Sequence, residues 1–408
     1  METVLNKLGN QPDLKSIKGL LDAIQLAKKN LEKPNSQCQP FEKLQSCINC
    51  FRIALATGKP KFATVAFEGI QLILRDNNEF GLDTPEGHSR AEQLISLLSD
   101  IPNWNNSPTS QCQGLTILVQ LLSSTEISIR LKDVLNGLDI CEQVYETTIN
   151  SNNVKPAARA ALTQSLNSYV QNRLAISSEE EEEHCTEHIG ARMDITALIS
   201  ELVAKMVGRS TVEKALGNND FELIQKQQPL LLSLDALFSI LSALEPTILE
   251  RHKPLFNSIK GELLPAVICY LHASGRKTNP ETSETSKHSL LRLGRKQTTT
   301  ENINSPSSAI ISPTAKIALE GAESARSFNH VVEQLLRLFT PLALSSNINL
   351  QTSTSNEVLS LIEELWRSTL LIPPINKRME AVRLIKRRFV DINSFGDFLQ
   401  LNCASGTD

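Results

Sequence analysis

The chain has 408 residues, 40% of them hydrophobic and only 4% aromatic, with 45 acidic side chains against 41 basic ones for a net charge of −4. The length exceeds one ordinary compact domain, and the apolar content is enough for sizeable cores, which excludes a wholly disordered chain. The near balance of charge excludes a global attraction to nucleic acid, so any anionic partner would need a local basic patch.

The N-terminus, Met1 to Lys7, places no apolar run behind a basic start, so no signal peptide is expected. Ile17, Leu20, Leu21, Ile24, Ala27 and Leu31 then recur at three- and four-residue steps, with Lys18, Asp22, Lys28 and Lys29 between them. This is the stripe of an amphipathic helix. Phe41, Leu44, Cys47, Ile48, Phe51 and Leu55 repeat it, and Thr57-Gly58-Lys59-Pro60 predicts the stop, since glycine suits a helix end and proline cannot continue one. Val65, Phe67, Ile70, Leu72, Ile73 and Leu74 predict a further helix ending near Arg75. Helices are expected around 89–100, 110–123, 130–150 and 154–174. No run alternates strictly enough to predict a strand. With aromatics scarce, Leu, Ile, Val and Ala must do the packing, as in helix-on-helix layers. Helix–turn–helix units of this kind stack into an all-α, armadillo- or HEAT-like solenoid, here with irregular spacing.

Glu179 to Glu183 interrupt the pattern with five consecutive acids, so 177–190 is read as a solvated acidic linker after a domain at 1–176. A second helical region is expected over 191–272, its stripes carried by Ile195, Leu198, Ile199, Leu202 and Met206, by Phe221, Ile224, Leu230, Leu234, Leu237 and Leu241, and by Leu263, Leu264, Val267, Ile268 and Leu271. The most apolar stretch, Leu230 to Leu241, is too short and carries Asp235, so it reads as a buried helix rather than a membrane span. From 273 to 314 the composition turns to Ser, Thr, Asn, Lys and Gly, predicting a disordered insertion. C-terminal helices follow within 315–392, and 393–408 frays.

Chemistry-bearing residues are few. Cys47 and Cys50 have the C-x-x-C spacing, with Cys38 nearby, but no second pair completes a structural zinc set and both fall on an apolar helical face, where cysteine packs as a small hydrophobe. His184, Cys185, Glu187 and His188 form a ligand-like cluster in a segment without a rigid frame, so no resident metal is expected. Eight cysteines scattered over so long a chain read as reduced thiols, not a disulfide framework. No phosphate-cradling glycine loop, nucleophile elbow or H-E-x-x-H motif occurs, and Glu363-Glu364 beside Trp366 read as a solvated helix face. Neither a catalytic residue nor a cofactor is expected.

Two features suit partners or regulation. Lys377, Arg378, Arg383, Lys386, Arg387 and Arg388 fall on a helix from about Ile375, with Met379, Val382, Ile385 and Phe389 on its other face. Such a helix either sits on an anionic membrane or acidic partner, or packs its apolar side and solvates its basic one. Thr298, after Arg295-Lys296, and Ser305 and Ser312, each before proline, are candidate phosphorylation sites, though such pairs are common in any polar linker.

Phe51 to Lys61 and then Ala66 to Ile73 resemble two successive helices of the dimerisation and cyclophilin-binding domain that opens the large Arf guanine-nucleotide exchange factors. Val134 to Tyr145, running into Pro156 to Leu166 with its small residues and Leu162-Thr163-Gln164, resembles the same domain. The likeness covers roughly residues 1–175. Ile372-Pro373-Pro374 with Arg378, Glu380, Ala381 and Ile385 looks most like a divergent, brefeldin-A-inhibited branch. The resemblance implies a regulator of Arf-family GTPases, cytoplasmic and peripheral to Golgi or trans-Golgi membranes, whose N-terminal region forms a homodimer and biases docking. It does not imply activity in this chain. The exchange loop of that family is Phe-Arg-x-Pro-Gly-Glu, and Phe51-Arg52 here continues Ile53-Ala54-Leu55. Any exchange would need a downstream segment. The alternative is a helical-repeat adaptor unrelated to Arf signalling.

Overall fold

The computed structural model describes residues 1–14, 17–75, 80, 90–104, 107–148, 153–178, 186–207, 230–268, 322–344 and 360–367. All regular structure among them is helical, and they fall into two compact units, Met1–Asp194 and Ile195–Asp408.

The first unit opens with α1 (Glu2–Gly9), α2 (Leu20–Glu32), α3 (Pro40–Ala56) and α4 (Pro60–Arg75). It continues through α5 (Arg90–Leu98), a 3-10 turn (Ile101–Asn103), α6 (Pro108–Leu122), α7 (Leu131–Thr147) and α8 (Val154–Ser178). Each helix packs on near neighbours in the chain: α2 on α1 and α3, α4 on α3 and α6, α7 on α5 and α6, and α8 on α6 and α7. That local layering is the mark of a helical solenoid.

Helix ends follow from their residues. Pro40 occupies the first position of α3, where its missing N–H costs nothing, and the Gln39 amide donates to Glu42 Oε2 at 3.3 Å. At the other end Gly58 adopts φ 63°, and its N–H reaches back to the Leu55 carbonyl at 3.1 Å. The chain therefore reverses between α3 and α4 where the sequence predicts. Gly69 of α4 faces the fully buried Phe51 ring of α3 so closely that a Cβ there would lie 2.2 Å from Cζ. The absent side chain is what lets these helices pack at this separation.

The α2 stripe is narrower than expected. Leu20, Ile24 and Ala27 are buried, but Leu21 is 45% exposed. One residue advances 100° around a helix, which carries Leu21 off the face that Leu20 holds inward. Leu72 of α4 is likewise displaced outward. α2 also begins after Gly19, at φ 81°, which leaves Ile17 ahead of the helix.

In the second unit lie the C-terminal part of α9 (Thr186–Val207), α10 (Leu230–Ala243), α11 (Pro246–Arg251), α12 (Lys253–Ser258), α13 (Ala322–Leu344) and a helix at 360–367, α14. Ile195, Leu198, Ile199, Leu202 and Met206 are all buried, and α10 is buried nearly all round, as its composition requires. α13 packs along α10 and α11. Its Ser327 hydroxyl donates to the buried Asp235 at 2.6 Å, and Arg337 donates to the Leu241 and Leu244 carbonyls, 2.7 Å each, at the end of α10. After α12 the chain makes a π-helical turn, Ile259–Leu263, before the α-helical residues 264–268. Pro265 explains it. It has no N–H for the Gly261 carbonyl, and its ring crowds that carbonyl, so the ladder widens by a residue. No helix among the described residues is long and apolar enough to cross a membrane.

Candidate functional site

Among the described residues a concavity lies between the α6–α7 connection, residues 124–129, and the second half of α8. It is a half-open groove of about 620 Å³, a volume in the range of small-ligand sites. The connection turns on Ser124, whose hydroxyl oxygen accepts from the Glu126 and Ile127 amides at 3.3 Å each. It then runs non-helically, with Ile127 and Ile129 buried as the floor and Thr125 and Ser128 exposed.

The α8 wall is organised by Arg173. Its Nη2 donates to the Ile129 carbonyl at 2.6 Å and lies 3.4 Å from Asp194, while the guanidinium stacks 5.2 Å from the Tyr169 ring centre. The Tyr169 hydroxyl donates to Asp194 at 3.3 Å. Burial pushes the Tyr169 phenol up to about 12, so it stays a neutral donor. One cation, one anion and one phenol thus close on one another and on the main chain, and the wall carries little net charge. Arg173 and Tyr169 sit four residues apart on one helical face, the sequence signal for their stacking. Nothing in the sequence ties Arg173 to Ile129, 44 residues away.

A second polar cluster holds α5 against the start of α7. Glu92 accepts from Arg130 at 3.0 Å and from Lys132 at 3.1 Å. Asp133, with its side chain fully buried, accepts from the Arg130 amide at 3.0 Å and caps the helix. Hydrogen bonds from Lys132 and Arg130 hold the Glu92 carboxyl below its usual range. All its partners are internal, so this cluster reads as a brace.

Cys47 and Cys50 lie fully buried on α3, with Cys38 also buried. Burial pushes the Cys50 thiol up to about 12, the opposite of what a thiolate ligand needs. Among the described residues no group of three or more His, Cys, Asp or Glu is placed to hold a metal ion. His184 and Cys185 lie outside the described residues; Glu187 and His188 fall in the first turns of α9. Glu363 and Glu364 are bridged by Arg367 at 3.0 and 3.8 Å, and the neighbouring Trp366 is buried. The basic residues Lys377, Arg378, Arg383, Lys386, Arg387 and Arg388, the candidate sites Thr298, Ser305 and Ser312, and the insertion at 273–314 all lie outside the described residues.

No family model matches the chain, and no solved structure matches it. Among curated proteins, brefeldin A-inhibited guanine nucleotide-exchange protein 3 of Homo sapiens is 20% identical over 409 residues. The alignment covers 95% of this chain and 17% of that protein, so the chain spans about a sixth of the length of the relative it matches.

Proposed function

We propose that the chain is a non-catalytic regulatory and self-association region of a large Arf guanine-nucleotide exchange factor-like protein, acting in vesicle transport at Golgi membranes. One observation carries the reading: the likeness to an exchange protein runs through 95% of this chain yet occupies 17% of the relative. A match to so small a share of the relative, in a chain whose described residues form a helical array, supports a region that stands apart from the exchange chemistry. A stack of helices buries apolar stripes inward and presents long polar faces outward, which suits it to hold partners rather than to transform them. The partners proposed are a second copy of the chain and an Arf-family GTPase. An anionic membrane is proposed for the basic side chains of Arg383, Lys386 and Arg387.

Light scattering of the full 408-residue chain at increasing concentration tests self-association, and immobilised chain tests retention of an Arf-family GTPase loaded with GDP or GTP. A dimer mass with nucleotide-sensitive retention is expected. Release of fluorescent GDP from the GTPase should not accelerate; acceleration would overturn the non-catalytic reading, and a monomer that retains no GTPase would overturn the rest. Changing Arg383, Lys386 and Arg387 together to Glu should weaken co-sedimentation with anionic liposomes, and unchanged sedimentation would remove that patch.

A further inference from the structure

The two layers of the first unit differ in charge, and the difference marks a surface for the self-association proposed above, on which this assignment rests. We propose that two copies of the chain meet through the outer face of α6 and α8, an uncharged ridge centred on Gln113, Gln120, Gln164 and Gln171.

α4, α6 and α8 pack side by side in one layer and α3, α5 and α7 in the other, with α6 and α8 both seated on α7. The exposed side of α6 and α8 therefore faces away from the second layer. On α6 it carries Gln113, Thr116 and Gln120, and on α8 Gln164, Asn167 and Gln171. Both sets step by three and then four residues, so each forms one line along its helix. These lines lack charge. From Ile101 to Thr125 no side chain is acidic or basic, where the chain's overall 21% would place about five. The same absence runs from Ala160 to Asn172. An ordinary solvated surface is about 25–35% charged. The second layer meets that expectation: Arg52 of α3 lies 3.9 Å from Asp100, and Glu92 of α5 holds Arg130 and Lys132 at the start of α7.

The missing charge selects the occupant. A membrane or a nucleic acid needs bases, and these lines have none. The exposed large apolar side chains that a bilayer would also take, Leu21, Leu26, Leu72 and Met193, fall on other helices. A strongly acidic or basic protein finds no complement here either. A second copy of the chain does. In a two-fold dimer each residue meets its own image or a near neighbour's, so a charged face repels itself and a neutral one does not. A carboxamide is donor and acceptor at once, and glutamine pairs with glutamine in either sense. Each line spans about 11 Å at a rise of ~1.5 Å per residue, on helices packed ~8–10 Å apart. That is less than the ~800 Å² per partner of a stable interface, so the ridge is its centre. Lys61 and Arg75, exposed on the adjoining α4, supply a charged rim. Interface centres are depleted in charge while their rims are polar.

The test is light scattering of the full chain over a range of concentrations, with two fourfold variants. One combines Gln113→Glu, Gln120→Glu, Gln164→Glu and Gln171→Glu; the other places Lys at the same four positions. All four are exposed, and Glu and Lys match Gln in helix propensity, so superimposable thermal melts are expected. Each variant alone should dimerise about a hundredfold more weakly than wild type, the scale of like charges brought together across an interface. An equimolar mixture of the two should regain the dimer mass, because Glu then faces Lys. Variants that dimerise as wild type does overturn the proposal and leave self-association to another surface. A mixture that stays monomeric also overturns it, because the substitutions then act other than by meeting across the interface. A wild-type chain that is monomeric at every concentration removes self-association itself, and this surface with it. The surface and the self-association therefore fail by different results.

Discussion

Replacing Gly69 by alanine sets two effects of known sign against each other. In a helix interior alanine is favoured over glycine by about 1 kcal/mol, so α4 alone would gain. The new Cβ, however, would stand 2.2 Å from Cζ, 2.7 Å from Cε1 and 2.8 Å from Cε2 of Phe51. Phe51 is fully buried on α3, which packs against α4, so its ring would have to shift within a closed core. Forcing a methyl into a packed core costs about 1–3 kcal/mol and leads to a backbone shift. With three ring atoms closer than 3 Å the cost falls in the upper half of that range, so the net expectation is a loss of roughly 1–2 kcal/mol, read as a lower urea midpoint with an unchanged slope. Gly9→Ala is the control. Its Cβ would meet only Ile24 Cγ2, at 4.0 Å, so that variant should match or exceed wild type. A Phe51→Leu background should shrink the Gly69→Ala penalty, because the ring is the obstacle. If Gly69→Ala proves as stable as Gly9→Ala, or if its penalty is unchanged by Phe51→Leu, close approach at Gly69 does not set the α3–α4 packing.

Glu92 gives a pH signature. Its folded carboxyl titrates below the unfolded one, so its contribution is present above the unfolded value and is lost as pH falls through the folded one. Glu92→Gln should destabilise by at most about 1 kcal/mol near neutrality, since the group is about a third exposed. The difference should vanish in acid, and a constant difference across urea titrations from pH 7 to pH 3 would argue against the brace. Arg337→Ala removes the Nη2 hydrogen bonds to the Leu241 and Leu244 carbonyls, at a cost of about 2–3 kcal/mol, measured by thermal or urea unfolding of the second unit. A loss under 0.5 kcal/mol would mean water replaces it fully. Cys50 and Cys141 are fully buried with thiols pushed up to about 12. At pH 8 both should resist alkylation in the folded chain while Cys112, only partly buried, reacts before either of them, as peptide mapping by mass spectrometry would show.

Much of the helical framework is legible in sequence because helix faces are local. Burial of Ile195, Leu198, Ile199, Leu202 and Met206 needs only the 3.6-residue period, and the α3 stop needs only Gly58 and Pro60. Where the reading strays, the angle is to blame. Counting Leu21 beside Leu20 ignores the 100° between neighbours, and the exposed leucine is the result. The eight-residue α1 offers too few turns for a period to declare itself, although Val4, Leu5 and Leu8 are buried. The groove was invisible for a different reason. Tyr169, Asn172 and Arg173 look like ordinary polar positions of α8, and only tertiary packing sets them against a loop more than forty residues earlier. The thiols illustrate a third case: spacing suggested a ligand pair, and the apolar company of Cys47 and Cys50 was the better guide.

The π-turn before Pro265 carries a dynamic consequence. A continuous helix closes and opens as one cooperative ladder, but here the ladder is interrupted at a single carbonyl in the middle of a largely buried segment. Fluctuations that fray α12 from its start need not propagate past Gly261, and those that loosen 264–268 need not travel back. Amide hydrogen exchange should resolve the segment into two neighbouring patches with separate protection, meeting at the turn. The second unit thus has a built-in seam at which part of it can loosen while α10 and α13 stay closed.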